Sequence, residues 1–230
     1  MSDGSDEFVV EIEPNSQALV LVVKTAVEET AKIYGSAFTR MVLKYALEFE
    51  AVKLNEKPPE NLTDLEEITN YIVENLERYP GGYNALIYGI GKADSRLEGA
   101  TGAGAKRAAY SAMKSIIESS GLLDSVIGTT EDAFEAICKA EKINKDLGAT
   151  IPARYIRGEN NQVIQIVPNC PFRDACSAVM SEGISRLVGG EECVSLITTT
   201  AEAEIITRKH FDYRLDEFGE VECRGRVFEI

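Results

Sequence analysis

Cysteine is the residue type whose distribution most suggests chemistry in this chain. Four of the five cysteines, Cys170, Cys176, Cys193 and Cys223, lie in the C-terminal part of the sequence. Four thiolates would be enough ligands for a structural zinc ion. The five residues between Cys170 and Cys176 differ from the two-residue spacing of zinc ribbons. Packed core cysteines and a redox-sensing thiol pair are therefore alternatives to the metal site.

Cys170 is also a candidate nucleophile. The segment Val167-Pro168-Asn169-Cys170-Pro171 predicts a strand that leads directly into a helix. The unpaired N–H groups and the dipole of a helix N-terminus favour a thiolate over a thiol. A thiol- or metal-dependent hydrolase would use Cys170 as nucleophile or metal ligand, with Asp174 or His210 as the base.

A single histidine limits the other chemistries that are open to the chain. His210 is the whole supply of imidazole, so the sequence excludes metal sites built from several histidines. Its neighbours Arg208 and Asp212 carry opposite charges, which favours a paired surface histidine. Asp174, Glu182 and Asp212 would serve as acid–base groups only if the fold brings them into one pocket.

The glycine-rich segment from Gly99 to Lys106 does not have the pattern of a phosphate loop. In that loop a Gly-Lys pair is followed by Ser or Thr, whereas here Ala105 precedes Lys106 and Arg107 follows it. The segment is predicted to be a flexible connector. A net charge of −14, with 38 acidic and 24 basic residues, also makes nucleic acid an unfavourable partner.

Composition predicts a globular, cytoplasmic protein of one or two domains. With 230 residues, of which 44% are hydrophobic, the chain can bury a full core. The acidic start, Met1 to Asp6, lacks the layout of a signal peptide, and no apolar run approaches the length of a membrane span. An odd number of cysteines in such a chain predicts reduced thiols.

The first two-thirds of the chain is predicted to be helical. Residues 1–14 are expected to be disordered, and apolar residues then recur at helical spacing from Ser16 to Leu54, with a break near Gly35. Thr63 and Glu66 predict a capping box. Three further segments follow. Tyr83–Lys92 fits a helix or a strand, Lys106–Ser119 is predicted to be a helix, and another helix is predicted from Thr129 or Thr130 to Asp146.

The last third changes to the alternation of strands. Strands are predicted at 151–157 and 162–167, joined by a turn at Gly158–Asn161, and again at 193–199, 207–216 and 221–230. One helix, from Arg173 to Val188, is inserted among them. The predicted fold class is α+β, with the helical N-terminal two-thirds packed on an antiparallel sheet of about four or five strands.

The order of these C-terminal pieces resembles the 4-vinyl reductase domain. The resemblance lies in Val167–Val188, in Gly189-Gly190-Glu191-Glu192-Cys193-Val194 and in the closing segment Cys223–Ile230. The upstream segment Leu86–Lys92 looks like the glycine-rich opening of such domains. On this basis the chain divides into a disordered N-terminus (1–14), a helical region (15–82) and a 4-vinyl-reductase-like domain (83–230).

The resemblance implies a binding function. That family shares its α+β fold with subunits of a vesicle-tethering complex and with haem-based gas sensors, and it includes archaeal regulators. Its members bind small, often hydrophobic molecules, frequently as dimers. Hydrolases of a cyclic amino-thiazoline carboxylate are similar in the same places, so an enzyme acting on a small cyclic amino-acid derivative is the alternative.

The leading hypothesis is a non-catalytic binding or sensor protein for a small, hydrophobic molecule. Its apolar pocket would lie between the sheet and the helices, lined by Tyr155, Phe172, Met180 and Phe211. Zinc on the four cysteines is the one cofactor that the sequence suggests. A third hypothesis is a structural partner protein that assembles through its first helices.

A homodimer is predicted from the first helices. The region from Ser16 to Leu54 has more apolar positions than one packing face needs, and a helix that is apolar around much of its circumference must be buried on several sides. A second copy of the chain would provide the cover. The positions that fall partly off the main apolar stripe are Val20, Leu21, Val42, Leu43, Leu47 and Phe49.

Overall fold

A computed structural model describes most of the chain and confirms the α+β class. The described residues are 6–11, 16–59, 62, 64–75, 82–94, 102–148, 150–182 and 193–230. In them the chain forms eight helices and a five-stranded antiparallel sheet. None of the described helices has the length and apolar character that crossing a membrane requires.

The chain divides into two compact units that are interleaved in sequence. The sheet unit comprises Met1–Pro14, Lys106–Cys170 and Gly189–Ile230. The helical unit comprises Asn15–Ala105 and Pro171–Val188. The segment expected to open a C-terminal domain at residue 83 thus groups with the N-terminal helices.

The sheet contains five antiparallel strands in the order β1-β2-β3-β5-β4. The predicted hairpin between the second and third strands is present, and Asn160 and Asn161 have the positive φ angles, 53° and 57°, that such a turn requires. The predicted four or five strands are confirmed as five. They are β1 (Glu7–Val10), β2 (Ala153–Arg157), β3 (Val163–Pro168), β4 (Phe211–Phe218) and β5 (Glu222–Glu229).

Strand β1 corrects the expectation of a disordered N-terminus. It pairs with β2 in antiparallel register, with Phe8 opposite Tyr155, and these two rings stack at 6.5 Å between centroids. The strand was not visible in the sequence because only four residues pair and their partner lies about 150 positions further along the chain. The rest of residues 1–14 lies mainly outside the described part.

Three helices accompany the sheet: α5 (Gly102–Ser120), which belongs to the sheet unit from Lys106 onward, α6 (Ala133–Leu147) and α8 (Val194–Thr207). Helix α8 corrects the strand predicted at 193–199. Almost every side chain of α8 is buried, so its sequence lacks the polar face by which an amphipathic helix is recognised. Its β-branched threonines bond back to the helix, as when Thr200 donates to the carbonyl of Leu196 at 2.6 Å.

The close contact between α8 and β5 depends on Gly225. A Cβ built at Gly225 would lie only 2.5 Å from Leu196 Cδ1 and 2.7 Å from the carbonyl oxygen of Arg214. A side chain at position 225 would therefore displace either the helix or the neighbouring strand. On the same strand Val227 is completely buried, so α8 covers an apolar face of the sheet.

The helical unit contains the remaining five helices. The predicted break at Gly35 is confirmed, and its φ of 83° shows why glycine occupies the position. The expected cap at Thr63 lies outside the described residues, and Asp64 accepts the capping bond, from the N–H of Glu66. The helices are α1 (Ser16–Tyr34), α2 (Ser36–Leu54), α3 (Leu65–Glu74), α4 (Gly82–Asp94) and α7 (Arg173–Ser181).

The apolar excess of α2 is covered inside its own unit. Val42, Leu43, Leu47 and Phe49 are all at most 6% exposed. Helices α1, α3 and α4 all pack on α2, so these four side chains are covered without a second copy of the chain. Val20 of α1, another of the positions named for the dimer, is half-buried, and the homodimer stays a prediction.

Candidate functional site

The four side chains predicted to line an apolar pocket are divided between the two units. Tyr155 and Phe211 belong to the sheet unit and are 0% and 6% exposed. Phe172 and Met180 belong to the helical unit, where Phe172 is half-buried at the start of α7 and Met180 is 44% exposed. Their role in ligand binding stays a prediction.

The four C-terminal cysteines, which the sequence predicts as zinc ligands, are divided between the two units. Cys170, Cys193 and Cys223 belong to the sheet unit, whereas Cys176 belongs to the helical unit. Across the described part of the chain, which includes all four, no group of three or more His, Cys, Asp or Glu side chains could hold a metal ion. Desolvation raises the pKa of Cys193 to about 11, so its sulfur stays a neutral thiol near pH 7.

The structure also separates Cys170 from His210. The N–H of Asn169 donates to the carbonyl of Val221, which places Cys170 beside the start of β5. The N–H of Ile230 donates to the carbonyl of His210, which places His210 beside its end. The eight residues of β5 span about 25 Å. Because a nucleophile and its base must lie within hydrogen-bond reach, these two residues cannot act as a pair.

A pocket of about 330 Å³ opens in the sheet unit where α8 ends. Its volume is at the lower end of the range for small-molecule sites, about 300–1,000 Å³. Ile127, in the turn before α6, and Ile205, near the end of α8, form its apolar lining. The polar lining comes from α5 (Lys114, Glu118), from α8 (Glu204) and from the link to β4 (Arg208, Lys209, His210).

Glu204 is the buried charged group of this pocket, with 8% of its surface exposed. Its Oε1 lies 2.6 Å from His210 Nδ1, and its Oε2 lies 3.5 Å from Lys114 Nζ. The second distance describes an ion pair that is too long for a strong hydrogen bond. A buried carboxylate is costly without such partners, so Glu204 fixes the imidazole and the ammonium group at the pocket wall.

His210 is the paired surface histidine that the sequence predicts. Its side chain is 81% exposed, although Nδ1 is held by Glu204. A histidine whose Nδ1 is engaged in this way presents its Nε2 in a fixed orientation. The link to β4 therefore offers one oriented imidazole nitrogen at the edge of the pocket.

Arg208 ends α8 in the left-handed conformation, with φ 60°. This conformation is uncommon for a residue with a side chain, and here it ends the helix, as a left-handed residue commonly does. The guanidinium stands beside Gly128, where a Cβ would lie 3.7 Å from Arg208 Nε. Gly128 in turn donates its N–H to the carbonyl of Ile206 at 2.6 Å. The turn before α6 thus closes on the end of α8 and sets the position of Arg208.

The basic side chains of the pocket differ in how they are paired. Lys209 Nζ lies 3.3 Å from Glu229 and 3.8 Å from Glu131, and Lys114 is paired with Glu204. For Arg208, the described residues provide no carboxylate partner. Three basic side chains and two acidic ones line the pocket, so its local balance is the reverse of the net charge of −14 for the chain.

A buried polar network lies on another side of α8. The hydroxyls of Thr150 and Tyr155 both donate to the carboxylate of Glu141 on α6. Gln165 Nε2 donates to Ser195 Oγ at 2.9 Å and to the Tyr155 hydroxyl at 3.2 Å. The network joins two helices to the central strands, and burial accounts for the raised pKa of Tyr155.

Glu202 is the second carboxyl group of this network. Its Oε1 accepts a hydrogen bond from Asn144 at 2.7 Å, while its Oε2 has no hydrogen-bond partner within the described structure. Desolvation, followed by repulsion from Glu141, raises the pKa of Glu202 to about 8. Glu202 and Glu204 lie two positions apart on α8. The first belongs to the buried network and the second lines the pocket.

Comparison with known proteins adds little to this geometry. No protein-family model and no curated protein matches the chain. A solved structure described as "Probing the function of heme distortion in the H-NOX family" is similar over 91% of this chain and 93% of that chain. Its TM-score is 0.42 and its sequence is 10% identical.

Proposed function

We propose that the sheet unit binds a small molecule in the pocket at the end of α8. The observation that supports this most is the convergence of a buried carboxylate, Glu204, with His210 and Lys114 beside the apolar side chains Ile127 and Ile205. Small-molecule sites typically combine an apolar surface with a few fixed polar groups. The thiol-dependent hydrolase and the likeness to the 4-vinyl reductase domain stay predictions from the sequence.

The local structure is suited to hold these groups still. Helix α8 is buried along nearly its whole length, and it fixes Glu204 and Ile205 in the pocket wall. The backbone bond from Gly128 to Ile206 positions the turn that contains Ile127. Binding groups on supported elements lose little freedom when a ligand arrives, which favours affinity.

A fragment screen by NMR on the full chain tests this proposal. The set should contain neutral, cationic and anionic fragments of equal size, and the readout is the change in assigned amide signals. We expect responses at Ile127, Ile205 and His210. No response at these positions from any fragment would overturn the proposal.

A pair of tryptophan substitutions provides the matched control. Ile127→Trp fills the pocket and is expected to abolish the responses. Val221→Trp, at a site that is 69% exposed beside the far end of β5, is expected to leave them unchanged. Equal binding by both variants would place the ligand elsewhere.

A further inference from the structure

We propose that the ligand of this pocket is a small organic carboxylate with an apolar body, and that Arg208 binds its carboxylate group. This inference rests on the proposed function, because it assigns a chemical class to the ligand of the same pocket.

The described residues leave the guanidinium of Arg208 available to a ligand. The other basic groups of the lining, Lys114 and Lys209, already face carboxylates of the chain. Arg208 has no such partner among the described residues, yet its backbone is held in a left-handed conformation beside Gly128. A planar guanidinium offers two parallel N–H groups whose geometry matches a carboxylate.

The charged side chains that line the pocket favour a ligand with one negative charge over a ligand with two. Among the described residues Arg208 is the lining cation without a carboxylate partner, whereas Glu118 and Glu204 contribute negative charge to the same lining. The C-terminal end of α8, which carries partial negative charge, also points at this position. A monoanionic carboxylate is balanced by Arg208 alone, while a phosphate dianion would meet uncompensated repulsion.

The apolar side chains determine the rest of the ligand. Ile127 and Ile205 provide a surface that would pack against a short aliphatic or aromatic group. A volume of about 330 Å³ accepts a compact molecule and excludes a long lipid chain. His210, oriented by Glu204, is placed to donate or accept one further hydrogen bond at the pocket edge.

Four probes that share one apolar body test this assignment: hexanoate, hexanol, hexylamine and hexyl phosphate. We expect hexanoate to bind the full chain most tightly, as measured by titration of amide signals at Arg208, Lys209 and His210. Arg208→Gln is expected to weaken hexanoate binding about tenfold or more while leaving hexanol binding unchanged. Arg224→Gln, the same charge change at an exposed site near the far end of β5, is expected to have no effect.

The outcomes separate this inference from the proposed function. If hexanol, hexylamine or hexyl phosphate binds the pocket more tightly than hexanoate, the carboxylate assignment is wrong and small-molecule binding stands. If none of the four probes shifts the amide signals of the pocket residues, the result would count against both the carboxylate assignment and the proposed binding function. Arg208→Lys is a control for a folding defect in Arg208→Gln. It keeps the positive charge but lacks the two parallel N–H donors of the guanidinium. It should fall between the native protein and Arg208→Gln, and full binding by both variants would refute the role of Arg208.

Discussion

Gly89 of α4 lies directly against the backbone of Val42 in α2. A Cβ built at Gly89 would overlap the carbonyl oxygen of Val42 and would lie 3.1 Å from the backbone nitrogen of Ala46. Both obstacles are backbone atoms, which cannot rotate away as a side chain can. The absence of a side chain at Gly89 is therefore what allows these two helices of the helical unit to approach so closely.

Gly89→Ala is accordingly expected to destabilise the helical unit, although alanine is the better helix former. The overpacking should lower the free energy of unfolding by about 1–3 kcal/mol. Chemical denaturation followed by circular dichroism measures the change. Lys44→Ala, on the exposed face of α2, is the control and should shift stability by less than about 0.5 kcal/mol. A Gly89→Ala variant as stable as that control would show that the helices separate without cost.

The buried carboxyl of Glu202 should make stability depend on pH. Its pKa is about 8 in the folded protein, raised from 4.5, so its protonated form stabilises the fold at low pH. That contribution is complete below pH 4.5 and is lost as the pH rises through 8. We expect the free energy of unfolding to fall with a slope of up to about 1.4 kcal/mol per pH unit between pH 5 and 8.

Glu202→Gln removes the titrating group and should flatten this slope. Denaturation at several pH values between 5 and 8 measures it for the native protein and the variant. Glu159→Gln, an equal charge change in the exposed β2–β3 turn, should keep the native slope. Identical slopes for the native protein and Glu202→Gln would contradict the assignment to Glu202.

Two of the cysteines should resist alkylation while the protein is folded. Desolvation raises the pKa of Cys138 and of Cys193 to about 11. At pH 8 only about a thousandth of each is thiolate, the form that reacts. Mass spectrometry after iodoacetamide treatment should find both unlabelled in the native protein and labelled in guanidinium chloride. Rapid native labelling of either would show that its sulfur is accessible and ionised.

Asp132 should be a stabilising cap of α6. Its side chain accepts the N–H of Glu135 at 2.8 Å and also pairs with Arg157 on β2. Asp132→Ala is expected to cost about 1–2 kcal/mol, measured by denaturation, whereas Asp132→Asn should keep the cap and lose only the ion pair. Asp146→Ala, near the C-terminal end of the same helix, should be neutral or slightly stabilising. A loss as large at Asp146 as at Asp132 would rule out the capping explanation.

Local signals in the sequence predicted much of the fold. The break at Gly35 and the turn at Gly158–Asn161 were visible because each depends on the conformational preference of a few adjacent residues. Helix α8 and strand β1 were not visible for the opposite reason. The first is buried all around, and the second is held by a partner from a distant part of the chain.

The candidate site was predictable only in part. His210 attracted attention as the single histidine, and its pairing is confirmed. Its partner Glu204 lies between two predicted strands, in residues for which the sequence predicted no element. Glu204 has two apolar neighbours, Ile205 and Ile206, and an acidic residue inside such an apolar run was the signal that could have revealed a buried charge. The left-handed conformation of Arg208 could not be predicted, because arginine is not a residue type that favours it.

The position of β5 between β3 and β4 has a consequence for synthesis. During synthesis from the N-terminus, β3 is made before β5, the strand that pairs with one of its edges. About fifty residues separate the two strands, so this edge of β3 stays unpaired until they have been synthesised. Through that interval the nascent chain presents an unpaired strand edge, to which foreign strands could add. Translation speed across residues 169–221, or a chaperone that covers β3, would then govern how much of the protein reaches its native state.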